Sequence, residues 1–164
     1  MPAAARLPAP YRSTVPIMPA PTLSLSVQYA SSSADLPTRP QFRRWVRLAL
    51  EQDVQIALRL VDEVEGRALN LAYRGKDYAT NVLTFVYDDT APLYADVVIC
   101  APVVEREAAE QGKARLAHYA HLTLHAVLHL QGYDHENDDE AAEMEARETT
   151  LVTKLGYPPP YSVA

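Results

Sequence analysis

The sequence predicts a single α+β domain. Four short segments have strand patterning, and five longer ones space their apolar residues as helices do. At 164 residues, with 48% hydrophobic and 22% charged side chains, the chain has the size and composition of one soluble globular domain. No run approaches the roughly 20 consecutive apolar residues of a membrane span, and no charged-then-apolar start resembles a secretory signal, so a cytoplasmic protein without membrane contact is expected. The single cysteine, Cys100, excludes an internal disulfide and any multi-cysteine zinc cage.

Residues 1–22 contain six prolines and no acidic residue. They lack apolar periodicity and read as a disordered extension, leaving 23–164 as the domain. Their arginines resemble those of a transit peptide, but the prolines oppose the amphipathic helix such peptides form. Order begins at LSLSVQYA (23–30), whose apolar–serine alternation is that of a half-buried strand. Residues 40–51 place Phe42, Trp45, Val46 and Leu48 on one side of an amphipathic helix, where the two aromatics read as core rather than as a platform for bases. DVQIALRLVD (53–62) alternates as a second strand, 63–73 as a helix, and NVLTFVY (81–87) and ADVVICA (95–101) as two further strands. The last is apolar enough to lie inside a sheet, and Cys100 reads there as a small buried hydrophobe. A helix follows Pro102 and ends at Gln111 before Gly112. A long helix from about Ala114 to Leu130 carries four histidines. An acidic helix from about Asp138 to Leu155 closes the domain, read as a solvated face with Met144, Leu151, Val152 and Leu155 turned inward.

The net charge of −6 is unevenly spread. Residues 134–148 hold eight acids against one arginine, whereas 39–76 carry eight basic residues against five acids. A locally basic surface therefore survives, and net charge does not exclude a nucleic-acid partner.

The stretch HAVLHLQGYDH (125–135) gathers three of the five histidines. On the long helix His118, His121, His125 and His129 fall on one stripe. A helix rises about 6 Å per four residues, so His121 and His129 are too far apart to share an ion, and only an adjacent pair can. His125 and His129 form that pair if Gly132 reverses the chain and returns His135 to the same face. Three imidazoles leave a fourth position open, the arrangement of a reactive zinc site. His118 and His121 read as packed or supporting residues. Asp134 reads equally as a carboxylate holding a ligand imidazole and as a cap on the acidic helix.

These residues resemble the YbeY family of bacterial endoribonucleases, whose signature H-G-x-L-H-L-x-G-Y-D-H is matched at every fixed position but Ala126. LNLAYRGKDYATNVLTF (69–85) resembles the family element N-x-x-Y-R-x-K-D-x-x-T-N-V-L-S-F, and ADVVIC resembles its G-D-x-x-I-C strand. Ala95, Thr84 and Val86 also depart from the family pattern. The resemblance implies a mixed four-stranded sheet packed with helices and a metzincin-like site at the end of the long helix, where one Zn2+ per chain is bound by His125, His129 and His135. It implies catalytic roles for Arg74 and His125. Arg74 would bind phosphate, with Lys76 and Asn81 as further substrate contacts, although Arg74 could instead pair with Asp77 and Asn81 could simply begin a strand. His121 and Asp134 would support the ligands.

The implied activity is single-strand-specific RNA cleavage in ribosomal RNA processing, at the 3′ end of 16S rRNA, and in ribosome quality control. The implied partners are ribosomal RNA, the small ribosomal subunit and assembly proteins such as an Era-type GTPase. The general base is left open between metal-bound water, His121 and the RNA's own 2′-hydroxyl. Two rivals stand beside this reading: an assembly factor in which zinc only locks the last helices, and a metallopeptidase, since H-x3-H-x5-H also occurs in metzincins. Ala126 stands where such a peptidase carries its glutamate base.

Overall fold

The computed structural model describes residues 19–88 and 90–161. Most of the expected extension lies outside them. Thr22, at its end, is held by the domain: its N–H donates to Asp53 Oδ1 at 2.8 Å and its carbonyl accepts from Val54 N–H at 3.1 Å.

The elements are β1 (Leu23–Ala30), α1 (Arg39–Ala49), β2 (Val54–Val61), α2 (Glu63–Arg74), β3 (Val82–Asp88), β4 (Leu93–Cys100), α3 (Ala101–Glu110), α4 (Arg115–Leu130) and α5 (Asp138–Lys154). The predicted order holds throughout. Helix α3 starts before Pro102 rather than after it, because a proline in the first turn lacks only an N–H that no helical carbonyl would accept. Thr38 and Gln41 cap α1 reciprocally, each side chain binding the other's backbone N–H.

The sheet order is β1-β2-β4-β3, with β1, β2 and β4 parallel and β3 antiparallel to β4. Helical crossovers through α1 and α2 allow the parallel pairings, and the short connection from β3 to β4 dictates the antiparallel one. As expected, the apolar ADVVIC segment is internal. On one face Ile56, Leu58 and Leu60 of β2 join Val97 and Ile99 of β4 against α1, α4 and α5. Phe42 and Trp45 of α1 meet edge to face at 5.4 Å within this core. On the opposite face Val61, Val98 and Cys100 pack with Leu83, Val103 and Leu69. The period of two thus sorts residues between two hydrophobic layers. β3 forms one edge of the sheet, beside the C-terminal half of α4.

Helix α4 ends in a left-handed turn at Gly132, φ +112°. The Gly132 N–H donates to the carbonyl of His129 and the Tyr133 N–H to that of Leu128, both at 3.1 Å, which satisfies two carbonyls the helix leaves open. No atom lies within 4 Å of where a Cβ on Gly132 would stand, so replacing it carries a conformational cost alone. Gly132→Ala should destabilise the protein by about 1–2 kcal/mol, measured by urea unfolding. An unchanged midpoint would show that the turn adopts another conformation.

Candidate active site

The histidine stripe on α4 runs from core to solvent. His118 is 3% exposed and its Nε2 lies 3.0 Å from Glu107 Oε1. Burial lowers its pKa, and Glu107 opposes that only in part. His121 is also buried, His125 is half-buried, and His129, in the last turn, is exposed. Beyond the Gly132 turn His135 comes back beside the last two. The ring centroids of His125, His129 and His135 form a nearly equilateral triangle with sides of 6.4, 6.2 and 6.2 Å. The His121 centroid is 6.5 Å from that of His125, but its ring is engaged by Glu148 and Tyr161, each at 3.3 Å from Nε2.

Hydrogen bonds set which ring nitrogens remain available. His129 Nδ1 donates to the Tyr133 carbonyl at 3.1 Å, and His125 Nδ1 donates to Glu148 Oε1. In both, donation from Nδ1 leaves the Nε2 lone pair free. Asp134 accepts the backbone N–H of His135 at 2.7 Å on one oxygen, which shapes the turn, and no imidazole contact is recorded for it. Neutral imidazoles with no carboxylate among them are a donor set suited to zinc. Zn–N bonds of about 2.0–2.1 Å require the three rings to draw somewhat closer than they stand. Nearby, Asp134, Glu136 and Glu140 bring their possible ligand atoms within 4.8 Å of one another. This is an exposed or half-exposed oxygen cluster on the rim, suited to harder cations than zinc.

Glu148 of α5 is completely buried. Its carboxylate takes His125 Nδ1–H on one oxygen, and the Tyr161 hydroxyl and His121 Nε2 on the other. Burial pushes this carboxyl up, but the hydrogen bonds from His121, His125 and Tyr161 outweigh it and hold the group down at about 2. Burial, reinforced by Glu148, raises the Tyr161 hydroxyl far above its ordinary range. The reading of α5 as a solvated acidic face therefore fails at Glu148. Its spacing carried the signal: Met144, Glu148, Leu151 and Val152 lie on one helical face.

The imidazoles open onto a cleft of about 460 Å³, lined also by Tyr73, Arg74, Leu83, Thr84 and Phe85. Arg74 is the last residue of α2, which Gly75 ends in the left-handed conformation. Asp77, its alternative partner, instead makes a two-pronged bond to Arg67 at 2.7 and 3.0 Å. Arg74 is exposed and has no acidic partner among the described residues. Lys76 is exposed beyond Gly75 and does not line the cleft. Asn81 is committed elsewhere, its amide donating to Glu107 at 3.1 Å and its carbonyl oxygen accepting from Val82 N–H at 2.7 Å. Two aromatics were missed in the sequence. Tyr73 is 68% exposed and its ring centroid lies 4.9 Å from that of Phe85 in the cleft wall.

A sheet-edge cleft that joins three imidazoles to an unpaired arginine is built for an anionic substrate. Comparison with known proteins gives the same class more narrowly. The family profile described as Endoribonuclease YbeY matches residues 28–156. A protein named Endoribonuclease YbeY from Thiobacillus denitrificans is 58% identical over 144 residues, covering 87% of this chain and 98% of its own length. Another of that name from Nitrosomonas europaea is 55% identical over 141 residues, 86% of each chain. The solution structure of a Thermotoga maritima protein superposes with a TM-score of 0.57 at 26% identity, covering 82% of this chain and 89% of that one. The chain belongs to the endoribonuclease YbeY family. It is an enzyme that cleaves RNA phosphodiester bonds.

The Glu148 carboxyl, at about 2 in the fold against an ordinary 4.5, stabilises the protein fully above pH 4.5, and the stabilisation is lost as pH falls towards 2. Chelator-treated Glu148→Gln should therefore be about 3 kcal/mol less stable than wild type at neutral pH, and the gap should narrow below pH 4.5. Urea unfolding at a series of pH values measures this. A gap independent of pH would show that the carboxylate's charge contributes nothing.

Proposed function

We propose that this protein is a zinc-dependent, single-strand-specific endoribonuclease that matures the 3′ end of 16S rRNA and serves ribosome quality control. One Zn2+ per chain is held by His125, His129 and His135, and Arg74 engages the scissile phosphate. The observation that carries this reading is the placement of Arg74, free of any acidic partner among the described residues, in the wall of the cleft onto which the three imidazoles open. Arginine offers a planar, permanently charged fork that matches two phosphate oxygens. Bound in the triangle, zinc supplies Lewis-acid polarisation of a phosphoryl oxygen. Arg74 stabilises the charge that grows on the phosphoryl group during attack. The Tyr73 ring, exposed beside Arg74 and backed by Phe85, offers an unstacked base a surface. A base inside a duplex cannot reach it, which favours a single strand.

Ribosomal RNA processing places the enzyme with RNA and the ribosome. The small subunit and an Era-type GTPase are the proposed contacts, in the cytoplasm. No described helix is long and apolar enough to cross a membrane. His121 lies behind Glu148 rather than in the cleft lining, which disfavours it as the general base. The peptidase rival lacks its base, since Ala126 is fully buried and a side chain there points into the core.

Arg74→Ala should remain folded and keep its zinc while losing about a hundred- to a thousandfold in cleavage rate on a defined single-stranded RNA. Arg74→Lys should recover only part, because an ammonium lacks the fork. Wild-type rates from Arg74→Ala would remove the arginine from the reaction. His135→Ala should lose the metal by elemental analysis, and full retention would overturn the ligand set.

A further inference from the structure

The ligand histidines differ in what stands behind them. His129 rests on a backbone carbonyl that its own turn provides. His125 rests on a side chain from a different helix, and that side chain is completely buried and shared among three donors. Glu148 reaches α4 from the middle of α5. Its second oxygen is taken by Tyr161, in the segment that follows α5, and by His121, one turn before His125. That segment is anchored independently, because Lys113 Nζ donates to the Pro160 carbonyl at 3.1 Å.

We propose that Glu148, clamped by Tyr161 and His121, is the positioning residue of the metal centre: it fixes the tautomer and ring orientation of His125 so that Nε2 faces the cleft. The inference rests on the zinc reading above. Without this carboxylate, His125 Nδ1 has no other acceptor among its recorded contacts, and the ring is free to rotate about χ2 and exchange tautomers. Glu148 does not itself line the cleft and makes no recorded contact with Arg74, so it acts through His125 and not on RNA. Carboxylates bonded to the far nitrogen of a metal-bound imidazole raise its basicity and limit its orientations, and their loss typically lowers metal affinity about 10- to 100-fold. Tyr161 holds the carboxylate in place, so removing its hydroxyl should have the same sense of effect and a smaller size.

The test is competition for zinc against a chromophoric chelator, together with imidazole nitrogen NMR of the metal-free protein. Wild type should bind one zinc and show His125 protonated at Nδ1. Glu148→Gln should bind zinc about 10- to 100-fold more weakly, and Tyr161→Phe about 3- to 10-fold, the equivalent of one hydrogen bond. In both, the His125 tautomer signature should be lost or mixed. Glu107→Gln removes a carboxylate from His118, about two helical turns before His125 and away from the cleft, and should leave zinc affinity and the His125 signal at wild-type values. If Glu148→Gln does not fold, Tyr161→Phe decides alone: weaker zinc binding with an altered His125 signal supports the proposal, and wild-type values overturn it. An equal loss in Glu107→Gln also overturns it, since the effect would then follow general loosening of α4. Wild type that binds no stoichiometric zinc defeats the zinc reading itself, an outcome visible before any variant is compared.

Discussion

An ionised carboxylate sealed inside a protein costs several kcal/mol unless donors surround it, and the Glu148 carboxylate meets that demand with groups from three places in the chain. Two come from successive turns of α4 and one from the segment after α5. Satisfying them together fixes how α5 lies along α4, where the last residues fold back, and which way the His125 ring faces. The remainder of the domain supplies the rigid surface on which this can happen. Helix α4 is buried along most of its length between α1, α5 and the sheet, so its histidines inherit positions set by hydrophobic packing.

That inheritance links core and cleft. Tyr119, Leu124 and Leu128 bury against the sheet in the same turns that display His121, His125 and His129. The edge strand β3 supplies one wall through Leu83, Thr84 and Phe85, and the end of α2 delivers Tyr73 and Arg74. Two consecutive elements and one distant helix therefore meet at one corner of the sheet.

Most of this frame was readable in the residues. Alternation in β2, the continuous apolar run of β4 and the helical spacing of Phe42, Trp45 and Val46 correspond to strong physical preferences, and they located the elements to within a residue or two. The histidine spacing around Gly132 was equally legible, because helix rise and a single left-handed turn leave few arrangements. Glu148 was lost within a run of acids: composition suggested solvent, although its own spacing placed it on the apolar stripe of α5. Asn81 and Asp134 carried residue types fit for a site, but the Asn81 partner, Glu107, is settled only by tertiary packing, and Asp134 takes the N–H of its own neighbour, His135. The competition for Asp77 was likewise invisible, since Arg67 and Arg74 are both within reach of it in sequence and only the fold selects Arg67.

Arg74 and His129 each occupy the final turn of a helix, α2 and α4, with left-handed glycines just beyond. Aligned peptide dipoles place about half a negative charge at such an end. The cleft is thus bordered by two backbone termini whose field favours cations and repels phosphate. An RNA backbone is welcome there only to the extent that positive charge overcomes this background, so the guanidinium and any bound cation set the sign of the local potential together. Substrate affinity and metal occupancy become linked quantities through the ion's own charge acting against this background, before any bond between the ion and the RNA is considered.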